Sequence, residues 1–327
     1  MTRIGVVIHQ PLRTQLFSAA DAARLESLGT VQWTESDEPL SVAEAIEVLH
    51  DCDIGIGSWR TPNIGSPELL AACPKLRLWE HVAGSVKNMF GPHLSGSNLT
   101  IASCKTAIAE CVAEFTLAQL ILGIRGFFPN AAANRSGRSG KPRGGVLYGA
   151  VIGVIGASEV GRRVIRNLRP FGCRILLFDP CITPAAAQDL GAEKYDSLVA
   201  MAAECDALSL HTPLLDSTHK LVSAAVLAAL PDHAVFINTS RGPCVDQDAL
   251  TAELQRGRLL ACLDVTEPEP LPDDHILRRL ENCIITSHIA GPATINMGAQ
   301  CVDDVARFLR GESPQAVITQ EMLATTA

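Results

Sequence analysis

Residues 151–179 constrain what this chain can fold into more than any other stretch. Val151-Ile152-Gly153-Val154-Ile155-Gly156 is a short β-branched apolar run, suited to a strand buried on both faces of a parallel sheet. Ala157-Ser158-Glu159-Val160-Gly161 then turns the chain into a helix whose Val160, Val164, Ile165 and Leu168 fall on one face. A second apolar strand, Arg174-Ile175-Leu176-Leu177-Phe178, ends on Asp179. Strand, glycine turn, helix, strand and terminal acid are the parts of a dinucleotide-binding βαβ unit.

Each part has a physical task. Gly156 permits the tight turn off the strand, and Gly161 lets the helix approach the sheet closely. The free N–H groups at the helix start, across Ser158, Glu159 and Val160, sit at the positive end of the helix dipole and suit a pyrophosphate. Asp179 can accept hydrogen bonds from a ribose diol and would repel a 2′-phosphate, so NAD is expected over NADP. The middle glycine of the usual pattern is replaced by Ser158. Its Cβ could crowd the pyrophosphate, or its hydroxyl could donate to it.

A chain of 327 residues suffices for two domains, and 47% hydrophobic with 19% charged residues describes a globular protein with ample core. The net charge of −8 argues against a nucleic-acid partner. Arg135, Arg138, Lys141 and Arg143 are interspersed with Gly and Ser and read as a solvated loop. Eleven cysteines form no Cys-x-x-Cys pair. They are expected as small buried thiols of a reducing cytosol, Cys262 and Cys283 among them, rather than a disulfide framework or a zinc site. No signal-peptide pattern or run approaching a membrane span is read, so a cytoplasmic protein is expected.

Strands are expected over 3–8, 31–34, 53–58, 76–82 and 99–103, with helices over 19–28 and from Ser41 to His50. This is a small α/β layer without a phosphate-binding glycine turn. A long apolar helix over 107–125, with Ile108, Cys111, Val112, Phe115, Leu120 and Ile124 among its apolar positions, leads on to an extended loop over 127–145. From Tyr148, six strands recur at Val151, Ile175, Ala207, Val235, Leu259 and Cys283, and a last long helix covers 292–309. The expected fold is α/β: a Rossmann doubly wound parallel sheet, residues 103–290, inserted into a smaller flavodoxin-like α/β domain formed by 1–102 and 291–327. The inserted domain would bind NAD and the other would handle substrate. The end of the chain, after Gly311, carries little signal.

Polar residues gather where the predicted strands end, the edge at which open parallel sheets bind ligands. One strand ends in His211-Thr212-Pro213, the next in Asn238-Thr239-Ser240-Arg241-Gly242. The following two end in Asp264-Val265-Thr266-Glu267-Pro268-Glu269-Pro270 and in Ser287-His288-Ile289-Ala290-Gly291. The last three segments, in this order and spacing, resemble the signature segments of the D-isomer-specific 2-hydroxyacid dehydrogenase family. Val112-Ala113-Glu114-Phe115-Thr116-Leu117 and Pro74-Lys75-Leu76-Arg77 extend the resemblance over most of the chain.

The resemblance implies an enzyme that exchanges a hydride between NAD and a D-2-hydroxy acid/2-oxo acid pair, as a homodimer built through the cofactor domain. It implies that Arg241 binds the substrate carboxylate and carbonyl oxygen. His288 would exchange the proton with that oxygen, and Glu269 would pair with His288 and favour its protonated form. Asp264 would hold the nicotinamide carboxamide; His211, Thr212, Pro213, Thr239, Ser240, Arg241 and His288 would line the cofactor. Ala83-Gly84-Ser85 resembles the family's carboxylate-binding loop. Arg60 follows a first-domain strand where the phosphoglycerate dehydrogenase branch has an Arg-Thr pair, and would favour a substrate with a second anionic group. As a structural alternative, Arg60 is a surface residue with Trp59 covering the core edge.

Three features depart from the family: Ser158, Thr266 where an aromatic is common, and the segment Gly84-Ser85-Val86-Lys87-Asn88. Two other readings stay open, a non-catalytic NAD-sensing regulator and a phosphite-type dehydrogenase. Glu269 stands against the formate dehydrogenase branch, which has an amide there.

Overall fold

A computed structural model describes residues 1–90, 98–138, 144–292, 294–319 and 321–322, the side chain of Asn88 excepted. Two compact units emerge, Met1–Ile108 with Pro292–Ala327, and Ala109–Gly291. The second is inserted in the sequence of the first. Its start falls inside the long helix Lys105–Ile124 rather than at 103.

The first unit is built on β1 (Arg3–Val6), β2 (Thr30–Trp33), β3 (Ile54–Gly57), β4 (Leu78–His81) and β5 (Thr100–Ser103). All are parallel, in the order β2-β1-β3-β4-β5, which is the flavodoxin-like winding. The alternation of side chains on β4 divides the core. Leu78 packs with Met297, Cys301 and Val305 of helix Ile295–Leu309. Trp79 faces the opposite layer, with Leu49, Leu69 and Phe90. Ser41 caps helix Val42–Leu49 in a reciprocal box with Glu44, as its position before an amphipathic run predicts.

Two features of this unit were not expected. After β1 a helix, Gln10–Leu16, begins, with Pro11 in the first turn, where a missing N–H costs nothing. The tail after Gly311 also has a structural role. Ser103 N donates to Ala316 O at 3.2 Å and Ile318 N to Ile101 O at 2.8 Å, so an antiparallel segment covers the free edge of β5.

The second unit contains β6 (Val151–Ile155), β7 (Arg174–Phe178), β8 (Glu193–Tyr195), β9 (Ala207–Leu210), β10 (Val235–Asn238), β11 (Leu260–Leu263) and β12 (Cys283–Ile285). They form one parallel sheet in the order β12-β11-β10-β9-β6-β7-β8. The expected six strands become seven. The addition, β8, is the three-residue edge Glu193-Lys194-Tyr195, too short and polar to register as an apolar run.

Residues 127–135 correct the expected extended loop. They form a helix, Phe127–Arg135, because Ala131, Ala132 and Ala133 favour it and Gly126, at φ 64°, breaks it from the preceding helix. Arg138 pairs with Glu281, whereas Lys141 and Arg143 lie outside the described residues.

Helix Lys105–Ile124 buries a face of small and apolar residues, Ala109, Val112, Ala113, Thr116, Leu120 and Gly123. By length and composition it would suffice to cross a membrane, against the expectation that no run approached that size. Its Ala113 and Leu120 lie instead in the core over the second sheet, with Ile152 and Val235.

Candidate active site

In the second sheet the winding reverses between β6 and β9, and ligands of open α/β sheets bind outside the strand ends at such a point. The glycine turn leaves β6 there. Gly156 has φ 94°, and a Cβ on it would lie 3.0 Å from His211 O. A Cβ on Gly161 would collide with Gly156 O, so the helix Glu159–Leu168 rests directly on the turn. Ser158 is the N-cap of that helix, with φ −65° and its Oγ accepting from Gly161 N at 3.3 Å. The backbone at 158 therefore has no need of glycine. Val160 is partly buried, and Glu159 is paired with Arg163.

Asp179 closes the turn from β7. Its Oδ2 accepts from Ala157 N at 2.7 Å and its Oδ1 from Cys181 N at 2.8 Å. Each oxygen keeps a lone pair for a further donor. Across the reversal, His211 is buried with Nε2 2.8 Å from Ser209 Oγ, and burial holds its pKa down to about 3, so the ring is neutral. Its Nδ1 and the neighbouring Thr212 Oγ1 are buried without a partner among the described residues. Pro213 O accepts from Thr218 Oγ1 at 2.6 Å.

The next three strands place the other predicted residues along the same edge. After β10, Asn238 fixes the turn: its Nδ2 donates to Arg241 O at 2.9 Å and its Oδ1 accepts from Ser240 N at 3.0 Å. Ser240 Oγ donates to Thr212 O, and Thr239 Oγ1 lies 3.1 Å from Thr116 Oγ1 of the long helix. Arg241 donates from Nη1 to Ser240 O and makes no ion pair with a described carboxylate. Gly242 lies so close to Thr266 O that a Cβ would overlap it, which packs the turn after β10 onto the segment after β11.

That segment is shaped by Thr266 Oγ1, donating to Pro268 O at 2.9 Å, and by Gln247, which binds both backbone polar groups of Glu267. It carries Glu269, whose Oε1 lies 2.7 Å from His288 Nδ1. Both side chains are about half exposed. His288, three residues past β12, has φ 53°. Asp264 is buried below it and accepts from Thr286 Oγ1, Ile289 N and Ala290 N. The structure thus brings Glu269, His288 and Asp264 together. Sequence reading missed Thr286, Gln247 and the shaping role of Thr266. A hydroxyl two residues before the strand-end histidine was the one available signal.

In the first unit, β3 and β4 end side by side. Val82 N donates to Gly57 O, and Ser58 Oγ to Val82 O, each at 2.7 Å. Ala83 is buried, Gly84 half-buried and Ser85 exposed; the N–H groups of Gly84 and Ser85 donate to no described residue. Arg60 is exposed at φ 65°, and Trp59 is exposed beside it.

The profile of the D-isomer specific 2-hydroxyacid dehydrogenase NAD binding domain matches residues 117–290. This chain belongs to the D-isomer-specific 2-hydroxyacid dehydrogenase family. It is 30% identical to the glyoxylate reductase of Korarchaeum cryptofilum over 88% of this chain and 89% of that one. Identity is also 30% to a glyoxylate/hydroxypyruvate reductase B of Enterobacter, over 88% and 91%. Its fold matches the D-mandelate dehydrogenase of Rhodotorula graminis at a TM-score of 0.80, over 98% of each chain, with 21% identity.

This family member is therefore an oxidoreductase of 2-hydroxy and 2-oxo acids that uses a nicotinamide dinucleotide. The residues present fit the cofactor. A glycine cradle that a Cβ would fill, helix-start N–H groups at Glu159 and Val160, and the orphaned Thr212 hydroxyl offer donors to phosphate oxygens. Asp179 offers acceptors to a ribose. Asp264 accepts from three donors, and its Oδ2 keeps a lone pair for a further one.

Proposed function

We propose that His288 is the proton donor to the carbonyl oxygen in reduction of a 2-oxo acid, and the acceptor in the reverse direction. The observation that carries this reading is the 2.7 Å contact of Glu269 with His288 Nδ1. It fixes the ring so that Nε2 is the nitrogen left to meet substrate. Arg241, a permanent cation without an ionic partner among the described residues, binds the substrate carboxylate and polarises the carbonyl. When bound, the nicotinamide supplies or receives the hydride. The N–H groups of Gly84 and Ser85, which donate to no described residue, support a carboxylate-binding role for Ala83-Gly84-Ser85, and exposed Arg60 favours a substrate with a second anionic group.

Small 2-oxo acids are the proposed substrates, in keeping with relatives named glyoxylate and hydroxypyruvate reductases. Following NADH absorbance with glyoxylate, hydroxypyruvate, pyruvate and 2-oxoglutarate tests this; no oxidation with any of them would overturn it. A homodimer through the cofactor unit is supported by the exposed Phe127, Val146 and Tyr148, and sedimentation would measure its mass. Free thiols at all eleven cysteines support a reducing, cytoplasmic setting.

A further inference from the structure

We infer that Gln247 is a positioning residue for Glu269: its side-chain amide closes a two-bond clamp on the backbone of Glu267 and so sets where the Glu269 carboxylate meets His288. This role rests on the reading of Glu269 and His288 as the proton-transfer pair.

The segment that carries Glu269 has little of its own to hold its shape. Residues 267–270 are exposed, so burial does little to fix them. Pro268 and Pro270 have no N–H to donate. Two side chains supply what is lacking. Thr266 Oγ1 donates to Pro268 O at 2.9 Å. Gln247 Oε1 accepts from Glu267 N at 2.9 Å, while its Nε2 donates to Glu267 O. A primary amide answers a peptide N–H and a peptide C=O together, because one of its ends accepts and the other donates. A carboxylate could only accept, and an aliphatic side chain could do neither.

Gln247 is itself fixed by the segment after β10. Gly242 lies against Thr266 O, where a Cβ would overlap it. From there the short turn Gly242–Cys244, closed by Val245 N donating to Gly242 O at 3.0 Å, leads to Asp246. The Asp246 side chain caps helix Gln247–Gln255 by accepting from Ala249 N at 3.1 Å. Gln247 therefore stands at the anchored start of that helix, and the turn leading to it begins beside Arg241. The clamp ties the segment carrying Arg241 to the segment carrying Glu269.

The expected signature is a loss of rate without a loss of binding. Gln247→Leu removes both hydrogen bonds and leaves the Asp246 cap in place. Its kcat for 2-oxo acid reduction falls about fivefold or more, while KM for the 2-oxo acid and the Kd of NADH from fluorescence titration stay within about twofold. Gln247 acts through Glu269, so Gln247→Leu added to Glu269→Gln lowers kcat by less than about twofold further. A residue that served folding alone would lower the melting temperature and leave kcat untouched. An unchanged kcat, a tenfold weaker NADH Kd, or independent losses in the double variant would each overturn the inference. Should Gln247→Leu fail to fold, Gln247→Glu keeps the acceptor for Glu267 N and gives up the donor to Glu267 O. The clamp then requires a kcat below the parent at unchanged NADH Kd, and a parental kcat overturns it. Parental turnover in Glu269→Gln by itself would overturn the reading of the pair, whereas a deficient Glu269→Gln beside a fully active Gln247→Leu overturns the clamp alone.

Discussion

The carboxylate of Glu269 and the imidazole Nδ1 of His288 meet at 2.7 Å, on segments that follow adjacent strands of one sheet. Glu269→Gln keeps the shape and replaces the carboxylate oxygens that face His288 Nδ1 with an amide. Turnover is expected to fall about tenfold or more, with the NADH Kd unchanged. Steady-state rates combined with a fluorescence titration check this. Rates equal to the parent would remove Glu269 from the mechanism.

Asp179 is expected to set the cofactor choice. Its two oxygens hold Ala157 N and Cys181 N, which places a negative charge against the glycine turn. A ribose diol can donate to it, whereas a 2′-phosphate is repelled. Calorimetry is expected to show tighter binding of NADH than of NADPH, with Asp179→Ala narrowing the difference. Tighter NADPH binding by the parent would contradict the assignment.

Ser158 acts as a helix cap. Its hydroxyl accepts from Gly161 N, so Ser158→Ala should destabilise the protein by about 1 kcal/mol. Ser158→Gly should cost only a few tenths of that. Thermal unfolding of the two variants compares them, and equal melting temperatures would show that the cap contributes nothing.

Buried ionisable groups on β4 set the pH range of stability. Glu80 is fully buried, with Cys104 Sγ at 3.7 Å, and burial together with Asp304 pushes its pKa well above 4.5. Its contribution is fully present below its ordinary value and is lost as pH rises towards the folded one. His81 has the opposite sense. Burial lowers its pKa from 6.5 to about 4, so its contribution is present above 6.5 and lost as pH falls through that window. The two values correspond to a contribution on the order of 3 kcal/mol. Glu80→Gln should therefore gain stability over the parent progressively as pH rises above about 4.5 in urea melts. A difference independent of pH would contradict this.

Much of this architecture could be read from local pattern. The βαβ unit announces itself because a short β-branched run, two glycines and an amphipathic helix lie within thirty residues of each other. Arg241, Glu269 and His288 could be singled out because they lie in segments that follow apolar strands and resemble the family's signatures. What escaped depends on contacts distant in sequence. The donors to Asp264 come from 22, 25 and 26 residues away, so its occupied carboxylate had no local signature. Edge elements escaped for a different reason. β8 joins the sheet by backbone pairing and the Arg174–Glu193 ion pair, and the tail over β5 by backbone bonds and buried Ile318, so neither carries an apolar periodicity.

The proton-transfer role of His288 is tested most directly by turnover of His288→Ala with saturating NADH and 2-oxo acid, measured with and without added imidazole. The account predicts a loss of roughly 10²–10⁴-fold, the usual worth of general acid–base catalysis, with partial recovery as imidazole is added. Turnover within about threefold of the parent, unaffected by imidazole, would contradict it.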